Sequence, residues 1–252
     1  ANIIAVVNQK GGVGKTTTTV NITAALRALG KRVLLCDFDA QANATSGMGV
    51  DKNTASPNVY DVLINGADPR RGVVTTHYGD VLPSNKALAG AGIELIGMER
   101  REFLLRDALD KVKDRYDFLF IDCPPSLELL TLNALCAADA ILVPVQGEYY
   151  ALEGLSDLMN TVRIVRRSLN PRLELDGVLL TMFDGRTNLA LQVAEEVKHY
   201  FPGKVYATVI PRNVRLSEAP SHGKPITAYD RTSRGAEAYT AFAAEFLKKQ
   251  SA

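Results

Sequence analysis

Residues 10–17, which read Lys-Gly-Gly-Val-Gly-Lys-Thr-Thr, constrain the fold of this chain more than any other segment. The apolar run that precedes them predicts a buried strand of a parallel sheet over Ile3–Asn8. Apolar residues at helical spacing follow and predict a helix over Thr16–Leu29 that ends near Gly30. In this context backbone N–H groups and the helix dipole bind phosphate. The sequence therefore predicts a phosphate-binding loop at the start of the first helix.

Side chains in the same loop indicate a nucleotide bound together with Mg²⁺. The ammonium group of Lys15 can reach the outer phosphates, and the hydroxyl of Thr16 can be a ligand of the metal ion. Backbone N–H groups supply the other contacts to phosphate oxygens. The predicted nucleotide-binding residues of the loop are Gly11, Gly12, Val13, Gly14, Lys15, Thr16 and Thr17.

Two predicted strands end in carboxylates at the edge of the sheet where ligands of such folds bind. The strand Arg32–Asp37 is followed by Asp39, and alternation puts these two carboxylates on one side of an extended backbone. The strand Phe118–Asp122 ends in a single acid after four apolar residues. Asp122 is predicted to hold Mg²⁺ through a water, because this ion dehydrates reluctantly. Asp37 and Asp39 can hold the metal shell or orient a water.

The rest of the chain alternates strand-like and helical segments, which indicates an α/β fold with a mainly parallel sheet between two layers of helices. Residues 45–100 are irregular and are interpreted as a surface elaboration with one short strand at Asp80–Pro83. No Pro- or Ser-rich linker divides the chain, so residues 1–252 are predicted to form one domain. The further predicted strands are Ala140–Val145, Leu175–Met182 and Val205–Ile210. The further predicted helices are Phe103–Asp114, Leu127–Cys136, Ala151–Ser168, Leu189–Tyr200 and Ser233–Lys249.

Charge and cysteine content exclude some classes of protein. A net charge of +1 gives no general attraction for nucleic acid or membrane, so any such partner must meet a local patch. Cys36, Cys123 and Cys136 match no zinc spacing. Cys36 and Cys123 fall in or beside predicted buried strands and are predicted to be buried thiols. An odd number of cysteines without a secretory signal favours the cytoplasm. No apolar stretch of the sequence is long enough to span a bilayer.

The phosphate loop departs from the usual pattern at two positions. Gln9 stands where glycine is usual, and Lys10 is an additional lysine. This variant resembles the deviant loop of the ATPase family that includes the ParA/Soj partition proteins, MinD and the nitrogenase iron protein. The resemblance implies a three-layer P-loop fold of the SIMIBI/MinD-like type. Nearly the whole chain takes part, and the segments Glu148–Gly154, Thr181–Thr187 and Ile210–Ile226 resemble the ParA/Soj branch in particular.

The resemblance implies an ATP hydrolase in which Lys10, Lys15 and Asp39 are the catalytic residues. In this family the additional lysine, here Lys10, reaches across a dimer to the nucleotide of the partner. The second acid after the second strand, here Asp39, positions the attacking water. The sequence Asp-Cys-Pro-Pro at residues 122–125 is similar to the second switch of the family.

Base recognition is predicted from two later segments, Thr181–Asp184 and Ile210–Asn213. Related GTPases place Asn-Lys-x-Asp at the first of these. This chain has Asp184 but lacks the Asn and Lys, which favours adenine and therefore ATP. By the resemblance, Pro211 and Asn213 lie against the purine. The alternative is an ordinary exit from a strand into a loop.

Partners are also expected from the resemblance. Arg186 and Arg215 correspond to a surface of the ATP-bound homodimer that contacts double-stranded DNA through phosphates and without sequence preference. A centromere-binding protein of the ParB/Spo0J type would stimulate hydrolysis, and the protein would be nucleoid-associated. On the residues alone, a solvated face with intramolecular ion pairs is the simpler interpretation of these arginines.

Two rival functions belong to the same family. A MinD-like membrane-cycling ATPase would carry a basic amphipathic helix at its end. Here the last helix closes with only Lys248 and Lys249 and contains Glu237 and Glu245, so docking on the sheet and no stable membrane association are expected. A nitrogenase-type reductase would need cluster cysteines, and Cys123 and Cys136 do not have the expected spacing.

Overall fold

A seven-stranded twisted sheet forms the middle layer of the structure. The computed structural model describes all residues from 1 to 252, and the strand order is β3-β4-β2-β5-β1-β6-β7. Six strands are parallel, and the edge strand β3 is antiparallel to β4. The strands are β1 (Asn2–Val6), β2 (Val33–Asp37), β3 (Val74–Thr76), β4 (Gly79–Leu82), β5 (Phe118–Asp122), β6 (Ala140–Gln146) and β7 (Glu174–Thr181).

Helices connect the strands and cover both faces of the sheet. The longer helices are α1 (Lys15–Ala28), α7 (Leu129–Ala137), α8 (Ala151–Ser168), α9 (Asn188–Tyr200) and α12 (Arg234–Gln250). The shorter helices are α2 (Asn43–Gly47), α3 (Val59–Asn65), α4 (Pro69–Gly72), α5 (Ala91–Leu95), α6 (Leu104–Leu109), α10 (Val214–Glu218) and α11 (Ile226–Tyr229). Single 3₁₀ turns occur at Lys86–Gly90, Lys113–Arg115 and Ala219–His222.

The central strands are apolar on both faces, and each face packs against its own core. Along β1, Ile3 and Ala5 face a cluster of 39 buried residues that includes α7, α8 and α9. Ile4 and Val6 face a second cluster of 20 buried residues between the sheet, α1 and α12. This alternation follows from the period of two in a strand. The predicted three-layer α/β fold with a mainly parallel sheet is confirmed.

The last helix docks on the sheet, as its apolar spacing predicts. Phe242 and Phe246 of α12 are fully buried, and the ring of Phe246 lies 5.3 Å from that of Phe118 in an edge-to-face arrangement. The three cysteines are buried free thiols, which confirms the prediction for Cys36 and Cys123. No helix in the chain combines the length and the apolar character that crossing a membrane requires.

The prediction of a strand over Val205–Ile210 is wrong. The segment runs beside β7 and meets it near its two ends, through an isolated bridge between Val205 and Val178 and a hydrogen bond from the N–H of Ile210 to the carbonyl of Leu180 at 2.8 Å, without a continuous ladder between them. The N–H groups of Ala207 and Thr208 instead donate to the carboxylate of Glu245 in α12, at 2.8 and 3.0 Å. This side-chain acceptor interrupts the ladder that a strand needs.

Two other predicted elements differ from the structure. The helix predicted over Phe103–Asp114 is only the six residues of α6, followed by a turn and the 3₁₀ turn Lys113–Arg115. In residues 45–100, the short strand predicted at Asp80–Pro83 is β4, one residue earlier. The neighbouring strand β3 was not predicted, because three residues are too few to show alternation.

Candidate nucleotide and magnesium site

The phosphate loop and two of the predicted acids meet at the carboxyl edge of the sheet. The loop follows β1, and its neighbours on one side are β5 and then β2. Asp122 at the end of β5 is in register with Val6 of β1 and with Asp37 of β2. Parallel strands that end at the same level bring these groups together, although they are far apart in the sequence.

The backbone of the loop leaves the start of α1 open to an anion. Gly14 precedes the helix with φ of 90°, a left-handed conformation that suits glycine. No side chain caps α1, and its first turn contains no acidic residue, so its first N–H groups are free to bind phosphate. The carbonyl of Val13 accepts a hydrogen bond from the hydroxyl of Thr181 at 2.6 Å, which ties the loop to the end of β7.

Both lysines of the loop have partners within the chain. Lys15 is nearly buried, and its ammonium group donates to the carbonyl of Lys10 at 2.7 Å. Burial lowers the pKa of Lys15, and the carboxylate of Asp122 partly opposes this effect. The Lys10 side chain forms an ion pair with Glu148, in the loop between β6 and α8. Lys10 must therefore leave Glu148 before it can reach any other anion.

Two of the predicted magnesium residues, Thr16 and Asp122, are hydrogen-bonded to each other. Thr16 donates its hydroxyl proton to Asp122 at 2.8 Å, and Thr19 donates to the same carboxylate at 3.3 Å. Burial and the charge of Asp37 raise the pKa of Asp122 well above its usual range. A buried carboxylate of this kind is stabilised by a nearby cation. The oxygen donors fit Mg²⁺, which binds one or two protein groups together with phosphates and waters.

The other two acids have different surroundings. Asp37 is fully buried and accepts hydrogen bonds from the N–H and hydroxyl groups of Thr45 at 2.8 and 2.7 Å. Burial raises the pKa of Asp37, and the hydrogen bonds from Thr45 oppose the shift. Asp39 is only partly buried, lines the cavity next to the loop, and donates its N–H to Asp37 at 3.2 Å. Asp37 therefore holds the segment that carries Asp39. A role of Asp37 in the coordination shell of the metal stays a prediction.

The cavity beside the loop has a volume of about 520 Å³, within the range of ligand pockets. The N-terminus of α1, the residues at the end of β7 and the segment from Ile210 to Ser217 all line it. Asn213 is among these residues, and its buried Oδ1 atom has no hydrogen-bond partner. The predicted residues that line the cavity are Gly11, Gly12, Gly14, Lys15, Thr16, Thr17, Asp39, Pro211 and Asn213.

Sequence reasoning missed several residues of the cavity. Tyr239 of α12 lines it, and its hydroxyl shares a hydrogen bond with Thr18 of α1 at 2.9 Å. The helical spacing identified Tyr239 only as a core residue, because its place beside the loop depends on how α12 crosses α1. Asn43 and Ser217 also line the cavity. No local pattern around them marks a nucleotide site.

The two arginines predicted to contact DNA are exposed and lie in adjacent segments. Phe183 forms a bridge with Pro211, so the loop with Arg186 runs beside the segment that leads into α10 and Arg215. The side chain of Arg186 is 90% exposed and that of Arg215 is 54% exposed. Each forms ion pairs with nearby carboxylates, as the simpler interpretation of the sequence expects.

Comparison with known proteins places this geometry in a family. Residues 1–175 match a family model described as an AAA domain. The sporulation initiation inhibitor protein Soj of Bacillus subtilis is 60% identical over 245 residues, which cover 96% of this chain and 97% of that protein. The chromosome partitioning protein ParA of Myxococcus xanthus is 51% identical over 249 residues, with 98% and 88% coverage.

A solved structure shares the fold of this chain over its full length. A crystal structure from Mycobacterium smegmatis, described as cobyrinic acid a,c-diamide synthase with bound ADP and magnesium, superimposes with a TM-score of 0.87. It is 38% identical, and the match covers 100% of this chain and 96% of that one. The full-length matches to Soj and ParA are closer in sequence. This chain belongs to the Soj/ParA family of chromosome-partitioning ATPases.

Proposed function

We propose that residues 1–252 act as one ATPase domain that hydrolyses ATP with Mg²⁺ and uses the cycle to partition DNA. The observation that carries this proposal is that the phosphate loop and Asp39 line one cavity, and that Thr16 of this lining is hydrogen-bonded to Asp122. The high identity to Soj over nearly the whole chain supports the partition role over a metabolic one.

Each residue of the cavity has a distinct task in hydrolysis. The free N–H groups of α1 and the ammonium group of Lys15 bind the phosphates, and Thr16 and Asp122 would hold Mg²⁺. The metal ion neutralises charge that develops on the phosphates. Asp39 accepts a hydrogen bond from the attacking water and orients it toward the outer phosphate. Its backbone is held by Asp37 and by Ser84, whose hydroxyl donates to the Asp39 carbonyl at 2.8 Å.

ATP would also join two copies of the chain. Lys10 is on the rim of the site, with a side chain 45% exposed, and it is bound to Glu148 within its own chain. In the proposed dimer it exchanges this carboxylate for the phosphates on the partner subunit. Two nucleotides would then be enclosed between the subunits, and hydrolysis would remove the contacts that hold the dimer together.

The ATP-bound dimer would bind double-stranded DNA without sequence preference. Arginine side chains that reach phosphates contribute affinity and carry no direct base information. A dimer presents two copies of the Arg186 and Arg215 surface on one body, which raises avidity through effective concentration. A ParB/Spo0J-type partner would stimulate hydrolysis and so release the protein from the nucleoid.

One set of measurements tests these proposals together. We expect the mass in solution to double with ATP and to remain that of a monomer with ADP or without nucleotide. We expect a random duplex to bind only in the presence of ATP, with an affinity that falls steeply as salt rises. Arg186→Ala and Arg215→Ala should weaken this binding and flatten its salt dependence while leaving the dimer intact.

The same protein samples distinguish a cycle on DNA from a cycle on a membrane. Equal DNA binding by monomer and ATP-bound dimer would contradict the proposed DNA surface. Cosedimentation with anionic liposomes in place of DNA would instead support a MinD-like membrane cycle. Because the apolar face of α12 is buried against the sheet, we expect no such cosedimentation.

A further inference from the structure

Arg186 is held by the carboxylate of Asp184, two residues earlier. Asp184 Oδ1 accepts hydrogen bonds from the backbone N–H and Nε of Arg186 at 3.1 and 2.9 Å, and Oδ2 accepts from Nη2 at 2.9 Å. The carboxylate therefore occupies the Nε–Nη2 edge of the guanidinium group. This edge is one of the forked arrangements that suit a phosphate.

Arg215 is also engaged by carboxylates. Its Nη1 lies 3.1 Å from Glu218 Oε2, and its Nε lies 3.4 Å from Asp230 Oδ2. The hydroxyl of Tyr229 donates to the same oxygen of Glu218 at 2.8 Å, which holds that carboxylate beside the arginine. The two arginines and their three carboxylates have a net charge of −1. In this state the two arginines, taken together with their carboxylates, give phosphates no net attraction.

We propose that Asp184 masks Arg186, and that Glu218 with Asp230 masks Arg215, so that these carboxylates limit the affinity for DNA. This inference rests on the proposed DNA-binding function. Exposed ion pairs are weak, so a phosphate can displace a carboxylate when several contacts form together on a dimer. A monomer forms fewer contacts and stays off the DNA. The masking carboxylates thus make binding depend on the ATP-bound dimer and allow release after hydrolysis.

The pairing at Asp184 persists at physiological pH. Hydrogen bonds from Arg186 lower the pKa of Asp184 to about 2, and the nearby charge of Arg212 acts in the same direction. The carboxylate therefore stays ionised wherever the protein is folded and active. Only a competing anion or a substitution removes its effect on Arg186.

The test is Asp184→Asn, which removes the charge and keeps an oxygen that can accept the N–H of Arg186. A unit charge about 5 Å from a phosphate in water changes affinity about fourfold, so two copies in a dimer give about fifteenfold tighter binding of a random duplex. The salt dependence should become steeper by up to about two units, because each subunit gains one full phosphate contact. Without ATP, the variant should bind DNA measurably better than the original chain.

The chain contains a closely matched control in Asp68→Asn. Asp68 accepts the backbone N–H and Nε of Arg70, both at 3.0 Å, and hydrogen bonds from Arg70 also lower its pKa to about 2. This pair lies at α4, which leads into the edge strand β3, whereas Asp184 follows β7 at the opposite edge. The control makes the same change in net charge and should alter DNA affinity less than about twofold.

A double variant shows whether the effect passes through Arg186. In Asp184→Asn combined with Arg186→Ala, the gain in affinity should disappear, which a double-mutant cycle measures as coupling. Thermal unfolding of each variant checks that the fold is retained. Glu218→Gln, which keeps an acceptor for Tyr229, should give a gain of similar direction at Arg215.

The outcomes separate this inference from the proposed function. If the original chain binds DNA with ATP and Asp184→Asn binds no tighter, or if Asp68→Asn tightens binding equally, masking is overturned and the DNA-binding function stands. If neither the original chain nor any variant binds DNA with ATP, the proposed function fails, and masking fails with it.

Discussion

Asn213 provides the sharpest test of how the base is selected. Asn213 lines the same cavity as the phosphate loop, its buried Oδ1 atom has no hydrogen-bond partner, and its side chain does not cap α10. A buried acceptor without a partner costs about 1–3 kcal/mol, so a ligand that supplies a donor there gains most of this amount. The 6-amino group of adenine is such a donor, whereas the 6-oxo group of guanine is a second acceptor.

The expected preference for ATP follows from the free energy of one hydrogen bond to Asn213 Oδ1. One bond of about 1.4 kcal/mol makes ATP bind about tenfold more tightly than the triphosphate of purine riboside, which has no group at position 6. Two facing acceptors should disfavour GTP further, to about a hundredfold below ATP. In Asn213→Ala, the ratio of ATP to the purine analogue should fall to about one, because the selective acceptor is gone.

The assay is equilibrium binding of the three nucleotides with Mg²⁺, by calorimetry, to the original chain and to two variants. Asn43→Ala is the control, since Asn43 lines the same cavity at the start of α2, close in sequence to Asp39. It should affect the three nucleotides equally. An unchanged ratio of ATP to the purine analogue in Asn213→Ala would refute the reasoning. A preference for GTP in the original chain would show that the amide nitrogen of Asn213 faces the base.

Other predictions concern the phosphate end of the site. Lys15→Ala should lose productive ATP binding, because the phosphates lose a cation in a nearly buried position, and nucleotide titration measures this. Asp39→Ala should still bind ATP and form the dimer but hydrolyse at least about a hundredfold more slowly, and a rate equal to that of the original chain would make its assignment wrong. Lys10→Ala and Gly12→Val should both impair formation of the dimer with a non-hydrolysable ATP analogue. Lys10→Ala loses the contact to the phosphates on the partner subunit, and Gly12→Val places a branched side chain at φ of 74° where two loops approach. An unchanged mass of both variants in light scattering would exclude the dimer that encloses two nucleotides. Binding of Mg²⁺ and ATP should release protons and weaken as pH falls through the raised pKa of Asp122, because its carboxyl must lose a proton to meet the metal. Without nucleotide the sign reverses, because the folded chain holds that proton more tightly than the unfolded chain does. Stability therefore falls as pH rises from the usual pKa of an aspartic acid to the raised pKa of Asp122. Equal heats of binding in buffers of different ionisation enthalpy would contradict this proton release.

The sequence by itself determined the phosphate loop, the order of the central strands along the chain and the acids at their ends. These features depend on short-range geometry. A glycine-rich turn between a strand and a helix leaves N–H groups unpaired, and a buried strand that ends in an acid places that acid at the sheet edge. The candidate residues Gly11 to Thr17 and Asp122 could therefore be predicted from the sequence, and their roles stay predictions.

The tertiary structure decided which distant groups meet. Lys10 pairs with Glu148, 138 positions away, and Tyr239 reaches the site only because α12 packs across α1. The carboxylate of Glu245 in that helix accepts hydrogen bonds from the N–H groups of Ala207 and Thr208, so a segment with a strand-like sequence does not form a strand. The burial of Asn213 Oδ1 without a hydrogen-bond donor likewise depends on which segments pack around it. Periodicity reports the face on which a side chain lies, but the partner on that face is set by how the helices and loops pack in three dimensions.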